Sequence, residues 1–132
     1  MGESNTDNRS TILIVEDEVL VRMFAVDALE DEGFRVVESS NAAEALAKLN
    51  ELPDLAAVII DLGLPDRPGD QVAAEIRASR SELPILIASG RSERELKERF
   101  RIDGRVGIVV KPFTGPMLYE TLEKLGVKAQ RT

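Results

Sequence analysis

The chain has no cysteine, no histidine and no tryptophan, and its 132 residues include one tyrosine and four phenylalanines. Without cysteine there are no disulfides and no thiolate chemistry, and a cytoplasmic setting is expected. Without histidine there is no imidazole to serve as base, metal ligand or phosphoryl carrier. Basic charge is short as well: 17 Lys and Arg stand against 24 Asp and Glu, a net charge of −7. Direct nucleic-acid binding calls for a basic stripe, so none is expected. No apolar run approaches the roughly 20 residues that cross a bilayer, so no membrane insertion is expected. The polar opening, residues 1–10, reads as a flexible lead-in and not as a signal peptide. What remains is the chemistry of carboxylates, hydroxyls, lysine and arginine.

An apolar share of 43% with 31% charged residues is that of an ordinary globular chain, and the length fits one domain. Within it stand four short apolar runs, each ending in a polar residue. Thr11–Val15 stops at Glu16-Asp17, Leu55–Ile60 at Asp61, Pro84–Ala88 at Ser89, and Val106–Val110 at Lys111. Runs rich in Ile and Val that do not alternate with polar residues read as strands buried on both faces. Phe34–Val37 is a further short strand.

The intervening segments are helical in pattern. Glu18–Glu32 carries an apolar stripe at Val21, Phe24, Ala25, Ala28 and Leu29, and Gly33 supplies a stop. Ser40-Asn41 caps a helix to about Asn50, and Gly69 or Asp70 opens one to about Arg80. Ser92 with Glu95 forms a capping box for a helix to about Arg101, and Thr114 caps the last helix, with Pro116 in its first turn, to about Leu125. The alternation predicts a doubly wound α/β fold with helices on both faces of a parallel sheet. Residues 126–132 read as a frayed tail.

In such sheets ligands bind beyond the carboxyl ends of the strands. Each polar stop also has an ordinary explanation. Glu16-Asp17 suits a helix start, Asp61 before Leu62-Gly63-Leu64-Pro65 suits a turn, Ser89 is a hydroxyl at a strand end, and Lys111 is a lysine at a loop. Together they mean more. Several carboxylates at one edge repel each other unless a cation sits among them, and oxygen ligands suit Mg²⁺. A carboxylate can attack phosphorus to give an aspartyl phosphate, and such a site needs a divalent ion, a lysine and a hydrogen-bond donor for the phosphoryl oxygens.

With these residues in place the chain, over residues 11–125, resembles the receiver domains of two-component response regulators. The resemblance implies a five-stranded parallel sheet in order 2-1-3-4-5 flanked by five helices, the flavodoxin-like receiver fold. It implies Glu16 and Asp17 as the acids that hold Mg²⁺, Asp61 as phosphoacceptor and further ligand, and the Gly63 backbone carbonyl as another ligand. Ser89 matches the hydroxyl residue that follows the phosphoryl group. Lys111, in Lys111-Pro112-Phe113, matches the family lysine before a cis-proline. The expected partners are a sensor histidine kinase or histidine phosphotransfer protein and a downstream protein of unknown identity, with the chain a monomer or homodimer. A stand-alone receiver would act through altered protein binding or as a phosphate relay or sink.

The match has departures. Three residues before Lys111, where receivers usually carry an aromatic, stands Ile108, and the tyrosine, Tyr119, lies in the last helix. Pro68 takes a loop position where Asp is common. Gly63 offers no side chain to screen an acyl phosphate, and Arg91, two residues after Ser89, is a candidate substitute. Aspartyl-phosphate hydrolases place a second Asp where Gly63 stands, so turnover of external substrates is not expected. No GxGxxG follows the first strand, which excludes a dinucleotide fingerprint. An interaction module that is never phosphorylated is the alternative reading. The first helix also carries Val19, Leu20, Met23 and Val26, surplus apolar residues beside Asp17 where a helical partner could dock. The helix from Ser92 to Arg101 is almost wholly charged and reads as a weakly packed element that could move.

Overall fold

The structure, a computed structural model, describes residues 9–99 and 105–129. Strands β1 (Thr11–Val15), β2 (Arg35–Ser39), β3 (Leu55–Asp61), β4 (Ile85–Ser89) and β5 (Val106–Val110) alternate with helices α1 (Val19–Glu32), α2 (Ala42–Asn50), α3 (Gly69–Ser79), α4 (Glu93–Arg99) and α5 (Gly115–Lys124). The strands form one parallel sheet in the order β2-β1-β3-β4-β5, as the sequence resemblance implied. The non-alternating runs do lie where both faces are covered: β4 is buried along its whole length and β1 from Ile12 onward. The edge strands β2 and β5 are only partly covered, so Arg35 and Glu38 are tolerated in β2.

Alternate side chains of the central strands feed two cores, as the two-residue period of a strand requires. On one face Leu13, Val15, Val58, Ile60, Ile85 and Ile87 pack against Ala45 and Leu49 of α2 and Val72 and Ile76 of α3. On the other, Ile12, Ile14, Ile59 and Leu86 pack against Ala25 and Leu29 of α1 and Leu118 and Leu122 of α5. Two expectations are revised here. The α1 stripe at Val21, Phe24, Ala25, Ala28 and Leu29 is rotated slightly: Phe24 is 47% exposed, and Val26 packs on the core instead. Two apolar sets lie side by side on α1, and spacing alone does not say which one meets the sheet. The frayed tail expected after Leu125 is also shorter, because Val127 is buried and its N–H donates to the Leu122 carbonyl at 2.9 Å.

The ends of the helices follow the local chemistry. α1 stops where Gly33 takes φ 108°, a left-handed conformation that a side chain disfavours, and the Gly33 N–H returns to the Glu30 carbonyl. Asn41 caps α2, its side chain accepting from Glu44 N at 2.8 Å, and Thr114 caps α5 by accepting from Met117 N at 3.3 Å. Ser92 and Glu95 form the capping box of α4, with Ser92 Oγ accepting from Glu95 N at 3.2 Å. Charged α4 nevertheless anchors Leu96, which is fully buried. Of the expected lead-in over 1–10, residues 1–8 lie outside the described residues, as do the extension of α4 to residue 101 and the last residues, 130–132. The Ser10 carbonyl, by contrast, accepts from Arg35 N at 2.9 Å. No helix among the described residues is long and apolar enough to cross a membrane.

Candidate phosphoryl and metal site

Register decides what meets at the sheet's carboxyl edge. Val15 of β1 pairs with Ile60 of β3, so Glu16 and Asp61, the next residues, end up abreast. Asp61 in turn pairs with Ala88, and Ser89 with Val110, so Lys111 starts one step beyond Ser89. The strand order puts β1 beside β3 with the connections leaving on opposite sides, the crevice in which such sheets bind ligands. A cleft of about 700 Å³ opens there, lined among others by Asp17, Asp61, Gly63, Ser89, Arg91 and Lys111.

Glu16, Asp17 and Asp61 each present a carboxylate oxygen within 4.8 Å of the other two. Glu16 and Asp61 are buried, at 3% and 7% exposure, while Asp17 is half-buried. Three ionised acids this close are tolerated only with a counter-charge, and hard oxygen donors in an open cleft fit a divalent cation of the Mg²⁺ kind. Gly63 lines the same cleft, two residues beyond Asp61.

Lys111 supplies the counter-charge within the protein. Its ammonium lies 2.8 Å from Glu16 Oε1, 3.1 Å from Asp61 Oδ1 and 3.3 Å from Glu18 Oε1. β4 stands between β3 and β5, about 10 Å of sheet, and the lysine stem and the Asp61 side chain close that gap between them, with the Lys111 side chain 15% exposed. Burial works to lower the lysine's pKa, but the hydrogen bond to Glu16 and the charges of Asp61 and Glu16 overrule it and hold Lys111 firmly protonated. Burial is also the main influence on Glu16 and lifts its pKa, against the opposing pull of Lys111 and of the Glu18 N–H, which donates to Glu16 Oε2 at 3.0 Å.

The Lys111–Pro112 peptide is cis. The Lys111 N–H donates to the Ser89 carbonyl at 2.7 Å, locking the ends of β4 and β5 together. Ser89 is buried, and its hydroxyl accepts from Arg91 N at 3.2 Å. The Arg91 side chain is over half exposed and lies 3.9 Å from Glu95, so it borders the cleft without touching the acids. Ile108 is half-buried on the α2–α3 face of the sheet.

The structure thus gathers Glu16, Asp17, Asp61, Gly63, Ser89 and Lys111 around one cleft. It adds four residues that reading the chain passed over. Glu18 shares Lys111, and its signal was a third consecutive acid after Glu16-Asp17. Arg22, the lone basic residue of α1, donates to the Glu16 carbonyl at 2.7 Å. Asp66, in the loop after β3, accepts from the α2 amides of Ala42 at 2.9 Å and Ala43 at 3.1 Å. Gly69 presses against the turn after Asp61: its N–H donates to the Leu62 carbonyl at 3.0 Å, and a Cβ would lie 2.6 Å from Leu62 Cα. Only the contacts of Arg22, Asp66 and Gly69 reveal them, because each acts on a segment outside its own element.

Known proteins resemble this chain in sequence and fold. The chain is 39% identical over 114 residues to the transcriptional regulatory protein PdtaR of Mycobacterium tuberculosis, covering 85% of this chain and 54% of PdtaR. The chain therefore spans about half the length of that curated relative. Among solved structures it resembles the chemotaxis response regulator CheY4 of Vibrio cholerae, with a TM-score of 0.79, 27% identity and coverage of 88% of this chain and 98% of that one. It also resembles the response regulator TrrA of Thermotoga maritima, solved in complex with Mg²⁺-BeF, with a TM-score of 0.75, 30% identity and the same coverages of 88% and 98%. A family model described as the response regulator receiver domain matches residues 12–123. The chain belongs to the response regulator receiver domains of two-component systems.

Proposed function

We propose that Asp61 accepts a phosphoryl group from a phosphohistidine on a sensor histidine kinase or histidine phosphotransfer protein. One Asp61 carboxylate oxygen attacks phosphorus, the P–O bond forms, and the P–N bond breaks with its electron pair leaving on the imidazole nitrogen, which takes a proton. The observation that carries this reading is the Asp61 carboxylate itself. It sits at the mouth of a cleft, 3.1 Å from a protonated lysine and among two further acids. A lysine so held is ready to follow the phosphoryl oxygens as charge builds on them. Glu16, Asp17, Asp61 and the Gly63 carbonyl would hold Mg²⁺, which when bound offsets the charge of the phosphoryl group. The Ser89 hydroxyl, at the neighbouring strand end, is the donor for a remaining oxygen.

The phosphorylated state acts in the cytoplasm by altered binding to a downstream protein, or as a relay or sink for phosphoryl groups. Turnover of external substrates is not part of the reading, because Gly63 puts no acid two residues after Asp61. The donor docks on α1, where Leu20 is 79% and Met23 54% exposed beside a groove lined by Phe24, Pro112 and Phe113 that borders Lys111. An amphipathic helix laid there brings its side chains to the edge of the cleft.

The test is labelling by a small phosphodonor and, separately, by a phosphorylated histidine partner, each with Mg²⁺ and with EDTA. Wild type should form an acid-stable, base-labile adduct with Mg²⁺, and Asp61→Asn should form none. Leu20→Glu should slow transfer from the protein donor while leaving small-donor labelling intact. Labelling that persists in Asp61→Asn would remove Asp61 from the role. No labelling of wild type with either donor would favour a binding module that is never phosphorylated.

A further inference from the structure

The acids of the site depend on where the Glu16–Asp17 peptide lies. Its plane sets the directions of the Cα–Cβ bonds on either side, and so the aim of both carboxylates. β1 has ended at this point, and the amide and carbonyl of Glu16 are held from different directions. Glu16 N donates to the Ser39 carbonyl at 3.0 Å, continuing the β2 ladder. The Glu16 carbonyl accepts from Arg22 Nη1 at 2.7 Å. The same guanidinium places Nε 3.1 Å from Glu38 Oε1 of β2, with the Arg22 side chain only 18% exposed. Lys48 of α2 donates to the Glu38 carbonyl. A planar fork is thereby fixed at one end to β2 and applied at the other to the peptide between the two acids.

We propose that Arg22 is a positioning residue for the divalent-cation site: it holds the Glu16–Asp17 peptide in the orientation that lets both carboxylates converge with Asp61. This rests on the metal reading given above and deepens it. Arg22 is not among the residues that line the cleft. It acts through the main chain, as outer-shell partners of metal ligands do, and losing such partners costs about 10–100-fold in metal affinity.

The sign of the effect separates this from a simple charge effect. A guanidinium near a cation site repels the cation, so deleting the charge alone would tighten Mg²⁺ binding. Loss of positioning weakens it. The experiment is calorimetric titration of the full chain with Mg²⁺, at a temperature where circular dichroism shows each variant folded. The variants are Arg22→Ala, Arg22→Gln, Arg22→Lys and Glu38→Gln. The expected result is a dissociation constant raised about tenfold or more in Arg22→Ala and Arg22→Gln. Arg22→Lys, which keeps the charge and a donor but loses the fork, should fall between these and wild type. Glu38→Gln leaves an oxygen for Arg22 Nε and should stay close to wild type. An Arg22→Ala affinity equal to or tighter than wild type, with wild type binding Mg²⁺ normally, overturns the proposal and leaves the metal reading standing. Wild type that binds no Mg²⁺ at all overturns both.

Discussion

Lys111 is the place to test whether this site is a charge cluster balanced in advance of its ligand. Replacing it by Met keeps much of the stem and removes the ammonium. At 2.8 and 3.1 Å from Glu16 and Asp61, the ammonium gains about 6 and about 5 kcal/mol of Coulomb attraction at an effective dielectric of about 20. Desolvating the ions consumes most of that gain, at several kcal/mol each. Removing one partner is the costly step, because it leaves two buried carboxylates uncompensated, and breaking a buried pair costs about 3–5 kcal/mol. The cleft admits water, so we expect the low end, about 3 kcal/mol, or a melting point lower by about 10 °C. With no tryptophan and one tyrosine, urea and thermal unfolding are best followed by far-ultraviolet circular dichroism, in EDTA and in Mg²⁺. A cation competes with the ammonium for the same oxygens, so Mg²⁺ should stabilise Lys111→Met by more than it stabilises wild type. For scale, a ligand at 100 times its Kd adds about 2.7 kcal/mol. Adding Asp61→Asn to Lys111→Met should restore part of the loss in EDTA. A Lys111→Met protein as stable as wild type in EDTA, with equal gains from Mg²⁺, would refute the reasoning.

Two further substitutions probe the loop between Asp61 and α3. Gly69→Ala would gain about 0.5–1 kcal/mol from backbone entropy alone, but its Cβ would lie 2.6 Å from Leu62 Cα and collide with the Asp61 carbonyl. Net destabilisation of about 1–3 kcal/mol in urea melts is expected, with slower labelling of Asp61; a stabilised variant would show that the turn yields freely. Asp66 carries a lowered pKa, first because Ala42 N–H donates to its carboxylate and further through Ala43. Its contribution is therefore present in full above the unfolded value of 3.8 and disappears as pH falls through the lower folded value. Asp66→Ala should unfold at lower urea than wild type near neutral pH, and the two midpoints should converge in acid below that window. A gap independent of pH would remove the carboxylate from the argument.

Much of the site was readable from the chain because the buried parallel strands announce their own ends. A run such as Leu55–Ile60 is too apolar to stop anywhere but at Asp61, and the family pattern then supplies roles for Glu16, Asp17, Ser89 and Lys111. The helix caps were legible for a related reason, since Asn41, Ser92 and Thr114 satisfy amides within their own next turn. What escaped was chemistry that bridges segments. Glu18 looks like a helix-start acid until Lys111, 93 positions away, is seen at its carboxylate. Phe24 fits the apolar stripe of α1 by spacing, yet it faces Phe113 with ring centroids 6.1 Å apart, near the surface. Asp66 looks like a turn residue, and its partners are the amides of a helix more than 20 positions earlier.

The sequence by itself determined the strand–helix alternation and the residue at each strand end. Those depend on period, burial and local capping, and all three are written in neighbouring positions. It also determined that any imidazole in the reaction belongs to the donor, since these 132 residues hold no histidine and no cysteine. Tertiary structure alone decided the register that sets Glu16 beside Asp61, the reach of one lysine to three carboxylates, and the hold of Arg22 on the peptide between the acids. These are distances of a few ångströms between different elements of the fold. They exist only once the two cores have fixed how each helix lies against the sheet.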